Sequence, residues 1–184
     1  MLKKILVKLI FFVFVFNNIL LSQDIPIIVI APSKKPQSAS TVGTSVVVLD
    51  EEFLKKSNEF FLGDVLSSGT TSANFFQNGG HGSTSAIQLR GLPKRYSTVY
   101  IDGVKMSDPS SVSGDFDFNH ILTSQISRVE ILKGNQSSVY GSGAIGGTIN
   151  ITTKKGKPGR QKNIMVNTGS YKTVNYSGSY SGSD

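Results

Sequence analysis

Arg128 to Ile151 reads RVEILKGNQSSVYGSGAIGGTINI. Its first part, Val129-Glu130-Ile131-Leu132, is a strand by its apolar and β-branched content, and Gly134 closes it. Thr148 to Thr152 (TINIT) is a second strand of the same kind. Between them Gly141-Ser142-Gly143-Ala144-Ile145-Gly146 spells G-x-G-x-x-G. That string marks a dinucleotide loop when it leaves a strand and opens a helix, with a ribose-binding acid about 20 residues further on. Here a β-branched run follows Gly147, and the only acidic residue after Glu130 is Asp184. A nucleotide-dependent enzyme is therefore a poor reading. The glycines are expected to serve tight turns and close backbone packing.

Working upstream, Thr44 to Leu49 (TSVVVL) reads as a buried strand. Asp50 is placed to cap a short helix running to about Lys56, with Glu51 and Glu52 where the helix dipole favours negative charge. Asn58 is a second capping candidate, for a helix whose apolar face is Phe61, Leu62, Val65 and Leu66 and which ends at Gly69. Ile87 and Leu89 alternate with polar residues in a strand that stops at Arg90-Gly91. Val99 to Val104 reads as a strand with an Asp102-Gly103 turn. Ile121 to Ile126 is expected to be a short helix. Two polar loops, Gln77 to Ser85 (QNGGHGSTS) and Ser107 to Gly114, separate these elements. Loops of that length on a small domain are either disordered or functional.

Four motifs stand in order: LRG at Leu89–Gly91, YIDGV at Tyr100–Val104, RVEILKG at Arg128–Gly134 and SVYGSGAIGGTINI at Ser138–Ile151. The series resembles the plug domain of TonB-dependent outer-membrane transporters over about residues 41 to 155. QNGGHG and VSGDFDF (Val112–Phe118) look closest to the cobalamin-transporter branch. The resemblance implies an α+β plug domain, a small mixed sheet with short helices and long loops, followed by the first strands of a transmembrane β-barrel. It implies structural roles for Arg90, Gly91, Asp102, Gly103 and Gly134, and for Tyr140, Gly141, Gly146 and Gly147. Arg90, Arg128 and Glu130 are expected to hold internal ion pairs and barrel contacts. Because the family binds ligand with extracellular plug loops, Gln77, Asn78, Gly79, Gly80, His81 and Ser83 are candidate ligand contacts. Ser107, Asp108, Ser111 and Ser113 are candidates in the second loop.

The N-terminus has the layout of an export signal. Lys3, Lys4 and Lys8 form a basic region, an apolar run follows from Leu9 to Phe16, and Ser22 offers a small residue for cleavage. The run is shorter than the roughly 20 residues of a membrane-spanning helix. Residues 1–22 are thus expected to be a signal peptide. Gln23 to Pro32 (QDIPIIVIAP) clusters β-branched residues between prolines and has no obvious strand partner in its own neighbourhood. It is either the first strand of the domain or a strand that adds to another protein's sheet edge. The resemblance makes it the TonB box. Asp24, Ile25, Pro26 and Ile27 with Ile28, Val29, Ile30 and Ala31 would then pair with TonB, which works with its inner-membrane energising complex. The plug would occupy 33–157.

At the other end, Val174 to Ser181 alternates apolar or aromatic residues with Asn and Ser, and Asn163 to Thr168 does so less cleanly. This is the pattern of a hairpin with one face to lipid and one to a lumen. Residues 158–184 are expected to begin a barrel. Two strands cannot close one, because their open edges have no partner in a bilayer. The chain is expected to be a fragment, a truncated product or half of a split transporter.

Composition narrows the classes. The chain has no Cys, which excludes a disulfide framework, a thiolate zinc site and a Cys nucleophile. Its net charge is +7, but the run Lys154, Lys155, Lys157, Arg160 and Lys162 lacks interleaved aromatics and reads as a solvated loop, not a nucleic-acid surface. Ser83, His81 and Asp102 form a triad only on paper, with no nucleophile-elbow motif. Asp115 and Asp117 are too few ligands for a calcium site. No cofactor, metal or catalytic residue is expected. The function expected is active import of a scarce nutrient, cobalamin or a ferric siderophore, across the outer membrane. The alternative is a secreted plug-like binding module without transport.

Overall fold

The computed structural model describes residues 28–29, 35–57, 59–71, 73–80, 82–112, 114–156 and 158–182. The expected signal peptide, and most of Asp24 to Ala31, lie outside these residues.

A five-stranded sheet organises the domain, in the order β3 (Ser45–Leu49), β8 (Ile126–Lys133), β9 (Gly147–Thr153), β6 (Ser97–Ile101), β7 (Val104–Met106). β3, β8 and β9 pair antiparallel, β9 and β6 pair parallel, and β6 turns back into β7. The β6–β7 turn needs two left-handed residues; Asp102 and Gly103 supply them, with φ of +49 and +85. Strand periodicity puts Val47, Leu49, Val129, Ile131, Ile149, Ile151 and Val99 on one face. That face carries the main core, where Val129, Ile131 and Ile149 are wholly buried. Leu62, Val65 and Leu66 of the second helix, and Ala73, Ile87 and Leu89, belong to the same core.

Helix α1 (Glu51–Lys56) starts where expected. Asp50 accepts a hydrogen bond from the Phe53 amide at 2.8 Å, and Lys55 and Lys56 pair with Glu51 and Glu52 one turn back. Helix α2 (Leu62–Gly69) ends as expected, and the capping candidate Asn58 lies outside the described residues. Phe61 holds its N-cap with no side-chain bond, and the chain is instead fixed by a Phe61–Leu122 bridge and a bond from the Leu62 amide to the Ile121 carbonyl. Tertiary backbone bonds here satisfy what a capping side chain would.

Ile121 to Ile126 is not a helix. Thr123–Gln125 makes one 3-10 turn, and Ile126 already belongs to β8. Burial of Ile126 in the sheet core takes precedence over the short helical pattern. Ala73–Gln77, between an expected helix and an expected loop, is a strand, β4, paired with β5 (Ser85–Leu89). A four-residue helix, α3 (Ser137–Tyr140), lies within the glycine-rich stretch.

That stretch folds over the second face of the sheet. Tyr140 and Ala144 pack on Tyr100 and Leu132 in a smaller core. Burial pushes the Tyr140 phenol up to about 12, with the Glu130 carboxylate and Tyr100 adding to the shift. The chain then enters β9 at Gly147. Its φ is +149, and a Cβ there would lie 2.3 Å from the Leu132 carbonyl oxygen. Close backbone packing, and not phosphate binding, explains this glycine.

Ile28–Val29 (β1) pairs antiparallel with Gln37–Ser38 (β2). The expectation of a strand without a local partner is thus corrected, because its backbone groups find the nearest extended stretch downstream. β10 (Gln161–Thr168) and β11 (Val174–Ser181) form the expected hairpin over eight residue pairs, from Gln161↔Ser181 to Thr168↔Val174.

Candidate functional site

The two polar loops meet at one place. Asp117 Oδ1 accepts from the Ser85 hydroxyl at 2.6 Å, the Ser85 amide at 3.2 Å and the Asn119 amide at 3.1 Å. The Ser85 hydroxyl in turn accepts from the Phe118 amide at 2.9 Å. This hub ties the start of β5, at the base of the first loop, to the segment just after the second loop. The ammonium of Lys94, which follows β5, forms an ion pair with Asp115, whose side chain is only 7% exposed. Asp115 and Asp117 are therefore engaged with different partners, Lys94 and Ser85, and do not converge on a cation.

The second loop is organised from within. Asp108 Oδ1 accepts from the amide and hydroxyl of Ser110 at 2.8 and 2.6 Å, and these bonds hold its carboxyl below the usual range. The Asp108 amide donates to the Asp115 carbonyl at 3.3 Å and closes the loop at its base.

A cleft of about 250 Å³ opens on the outer face of the β4–β5 hairpin, lined by Phe76, Asn78, Thr84, Ser85, Ala86, Gln88 and Lys94. The register explains the lining: Phe76 lies opposite Ala86, and strand alternation puts Asn78, Thr84 and Gln88 on the same face. Of the expected ligand contacts, Asn78 lines the cleft. Gln77 folds back to donate to the Gly80 carbonyl, Gly79 and Gly80 are exposed at the hairpin tip, and the Ser83 amide donates to the Gly80 carbonyl at 3.1 Å. Ser107 is exposed, and Ser111 is held by the Asp108 carbonyl. His81 and Ser113 lie outside the described residues. Thr84 lies in the loop Gln77 to Ser85 already expected to meet ligand; sequence reasoning missed Phe76, Ala86 and Gln88, whose shared face follows from recognising β4 as a strand, and Lys94, which comes from the turn after β5.

The residues expected to be structural sit away from this cleft. Arg128 and Glu130 form an ion pair at 2.8 Å on the second face of the sheet, with Glu130 3% exposed. Arg90 and Gly91 make the left-handed corner after β5, and the Arg90 guanidinium reaches over Gly134. Asp102 accepts from the hydroxyl and amide of Thr153 at 2.6 and 2.9 Å, and those two bonds lower its pKa. It thus ties the β6–β7 turn to the end of β9 and is unavailable for a triad.

A mixed sheet has two short helices on one face, a glycine-rich cover on the other and two fastened loops at one end. The family model for the TonB-dependent receptor plug domain matches residues 38–148, and the chain belongs to that family. Solved structures agree. The ferric yersiniabactin uptake receptor FyuA of Yersinia pestis is 25% identical over 80% of this chain, with a TM-score of 0.62. FpvA of P. aeruginosa, solved with a pyoverdine–iron complex, shares the fold at 18% identity over 81% of the chain, with a TM-score of 0.65. FpvAI in its pyocin S2 complex gives 19% over 84%, with a TM-score of 0.67. The chain spans 23% of the FyuA chain, 19% of the FpvA chain and 20% of the FpvAI chain.

Proposed function

We propose that this chain is the plug-bearing front of a receptor that imports a ferric siderophore across the outer membrane, driven by TonB. The observation that carries the reading is the fastening of both ligand-candidate loops, through Ser85–Asp117 and Lys94–Asp115, beside the cleft. A plug that must hold a ligand until energised needs such a preorganised end. The siderophore class is supported by FyuA, described as an uptake receptor for ferric yersiniabactin. The cobalamin-like features of Gln77–Gly82 and Val112–Phe118 make cobalamin the second ligand to test.

In this reading residues 1–22 direct export, Asp24 to Ala31 form the strand that TonB grips, 33–157 block the lumen and 158–184 begin the barrel wall. Pulling on the N-terminal strand would strip β1 from β2 first, since that ladder has two residue pairs among the described residues. The test is accumulation of radiolabelled iron by cells producing the protein with residues 24–31 deleted. Uptake should stop while surface binding of the ferric siderophore persists. Undiminished uptake would remove the TonB assignment. Cell fractionation separates this from a secreted binding module, which would appear in the medium and not in outer membranes.

A further inference from the structure

We infer that the plug-side end of the β10–β11 hairpin is a binding site for anionic phospholipid headgroups, held by Arg160 and Lys162 and anchored by Tyr180. The inference rests on the reading of residues 158–184 as the start of a barrel wall, and adds to it the lipid which that wall meets.

The ladder sets where the membrane surfaces fall. Its eight residue pairs rise about 26 Å at roughly 3.3 Å per residue. Tilted by the roughly 40° of barrel strands, that length covers about 20 Å of an apolar band roughly 25 Å tall. The two ends of the hairpin therefore lie near the two surfaces. Each end carries a tyrosine beside a lysine, side chains that keep an apolar body in the lipid and a polar tip among headgroups. At the turn these are Tyr171, fully exposed, and Lys172. At the other end Lys162 stands directly opposite Tyr180, which is 64% exposed, on the same face as Ile164, Val166 and Tyr176.

The two ends differ in charge. The turn, Gly169 to Thr173, has Lys172 as its one charged residue. The plug-side end follows the basic run, and from Lys154 onward Asp184 is the one acid against Lys154, Lys155, Lys157, Arg160, Lys162 and Lys172. Lys154 and Lys155 stay with the plug. The first donates to the Ser124 carbonyl at 2.7 Å, and the second lies close enough to Asp102 to add to the Thr153 bonds that lower its pKa. Arg160 and Lys162 are exposed, and the ion pairs among the described residues belong to other cations. The backbone fixes Arg160 at the base of the hairpin. A Cβ on Gly182 would lie 3.1 Å from the Gly159 carbonyl oxygen and 3.7 Å from Arg160 Cα, so the linker packs on the end of β11. Two cations at the rim of an apolar face complement anionic headgroups; a zwitterionic surface would leave their charge uncompensated.

The test is sedimentation of the full chain with two kinds of vesicle, phosphatidylcholine mixed with phosphatidylglycerol and phosphatidylcholine alone. Wild-type protein should prefer the mixed vesicles, and the preference should fall with added salt. Arg160→Gln combined with Lys162→Gln should cut that preference about 25-fold, at roughly fivefold per cation near an anionic surface. Arg95→Gln combined with Lys105→Gln removes the same charges from exposed sites on the plug and should change it by less than about twofold, since charges beyond a Debye length are screened. The chain has no Trp, so Tyr180→Trp is a lone reporter. Its emission should shift to the blue on mixed vesicles, and the shift should weaken when Arg160 and Lys162 are also replaced. Equal losses in the two double variants would overturn the inference, because they would reduce the preference to net charge. A blue shift of equal size on both kinds of vesicle would overturn it while leaving the barrel reading intact. No blue shift on either would overturn the barrel reading and the inference with it.

Discussion

The five-stranded sheet and the β10–β11 hairpin are both built from alternating sequence, yet they end in opposite environments. In the sheet, Val129, Ile131 and Ile149 are wholly buried; in the hairpin, Ile164 is 82% and Tyr176 76% exposed. The pairing is no weaker in the hairpin, which runs eight pairs without a bulge. What differs is the second layer. The sheet has helices on one face and the Tyr140–Ala144 segment on the other. The hairpin's register puts Ile164, Val166, Val174, Tyr176 and Tyr180 on one face and Asn163, Asn167, Asn175, Ser177 and Ser179 on the other. The first face is mainly apolar and exposed, with Lys162 and Thr168 at its ends, and the other is mainly polar, with Met165 the exception. Hydrogen-bonded strands alone do not make a stable unit; a second surface must cover the apolar face. Lipid is that surface in the reading proposed for residues 158–184.

The largest effect should come from the buried side. Ile131→Ala should destabilise the chain by about 2–5 kcal/mol, whereas Ile164→Ala should stay within about 0.5 kcal/mol in water. Urea unfolding of both variants checks this, and equal losses would erase the distinction. In outer membranes the contrast should invert. Ile164→Lys should cost about 2–4 kcal/mol near a bilayer midplane, while Asn163→Lys on the polar face should be nearly neutral. Membrane recovery of the two variants gives the answer, and identical recovery would take the hairpin out of the bilayer.

Tyr140 tests the cover on the sheet's second face. An acid whose folded pKa is raised keeps its proton longer folded than unfolded. Stability should therefore hold up to pH 10 and fall between 10 and the folded value of about 12. The loss is at most about 3 kcal/mol, at about 1.4 kcal/mol per pKa unit. Tyr140→Phe should flatten that limb of the pH–stability curve. Gly147→Ala should lose about 1–3 kcal/mol through strained backbone, read as a lowered melting temperature, because a Cβ meets the Leu132 carbonyl. Smallest in this series, Asp50→Ala should lose about 1 kcal/mol by removing the α1 cap, measured by the same melts.

Much of the domain was legible in the chain because local signals and global fold agreed. Asp50 caps the helix it precedes, Asp102-Gly103 makes the expected turn, and the G-x-G-x-x-G string leads into a strand. β4 was missed because its apolar residues, Ala73, Phe75 and Phe76, do not alternate cleanly and the segment runs into a glycine-rich loop. Ile121 to Ile126 was misread because a six-residue apolar pattern fits a helix as well as a turn followed by a strand. Only the sheet's need to bury Ile126 decides between them. The cleft was legible in part. Polar loops pointed to Asn78, but Phe76 and Gln88 join it only through cross-strand register.

The sequence by itself determined the family, through four motifs in order, along with the turns and caps, because those depend on residues a few positions apart. Tertiary structure alone decided where the two loops meet, since Ser85 and Asp117 are 32 residues apart and no local pattern links them. It also decided which charges stand beside the cleft. In sequence Asp115 stands out only beside Asp117, as one of too few ligands for a calcium site, and nothing links it to Lys94. Folding brings them together as one ion pair beside the cleft, with the carboxylate buried and the ammonium half exposed.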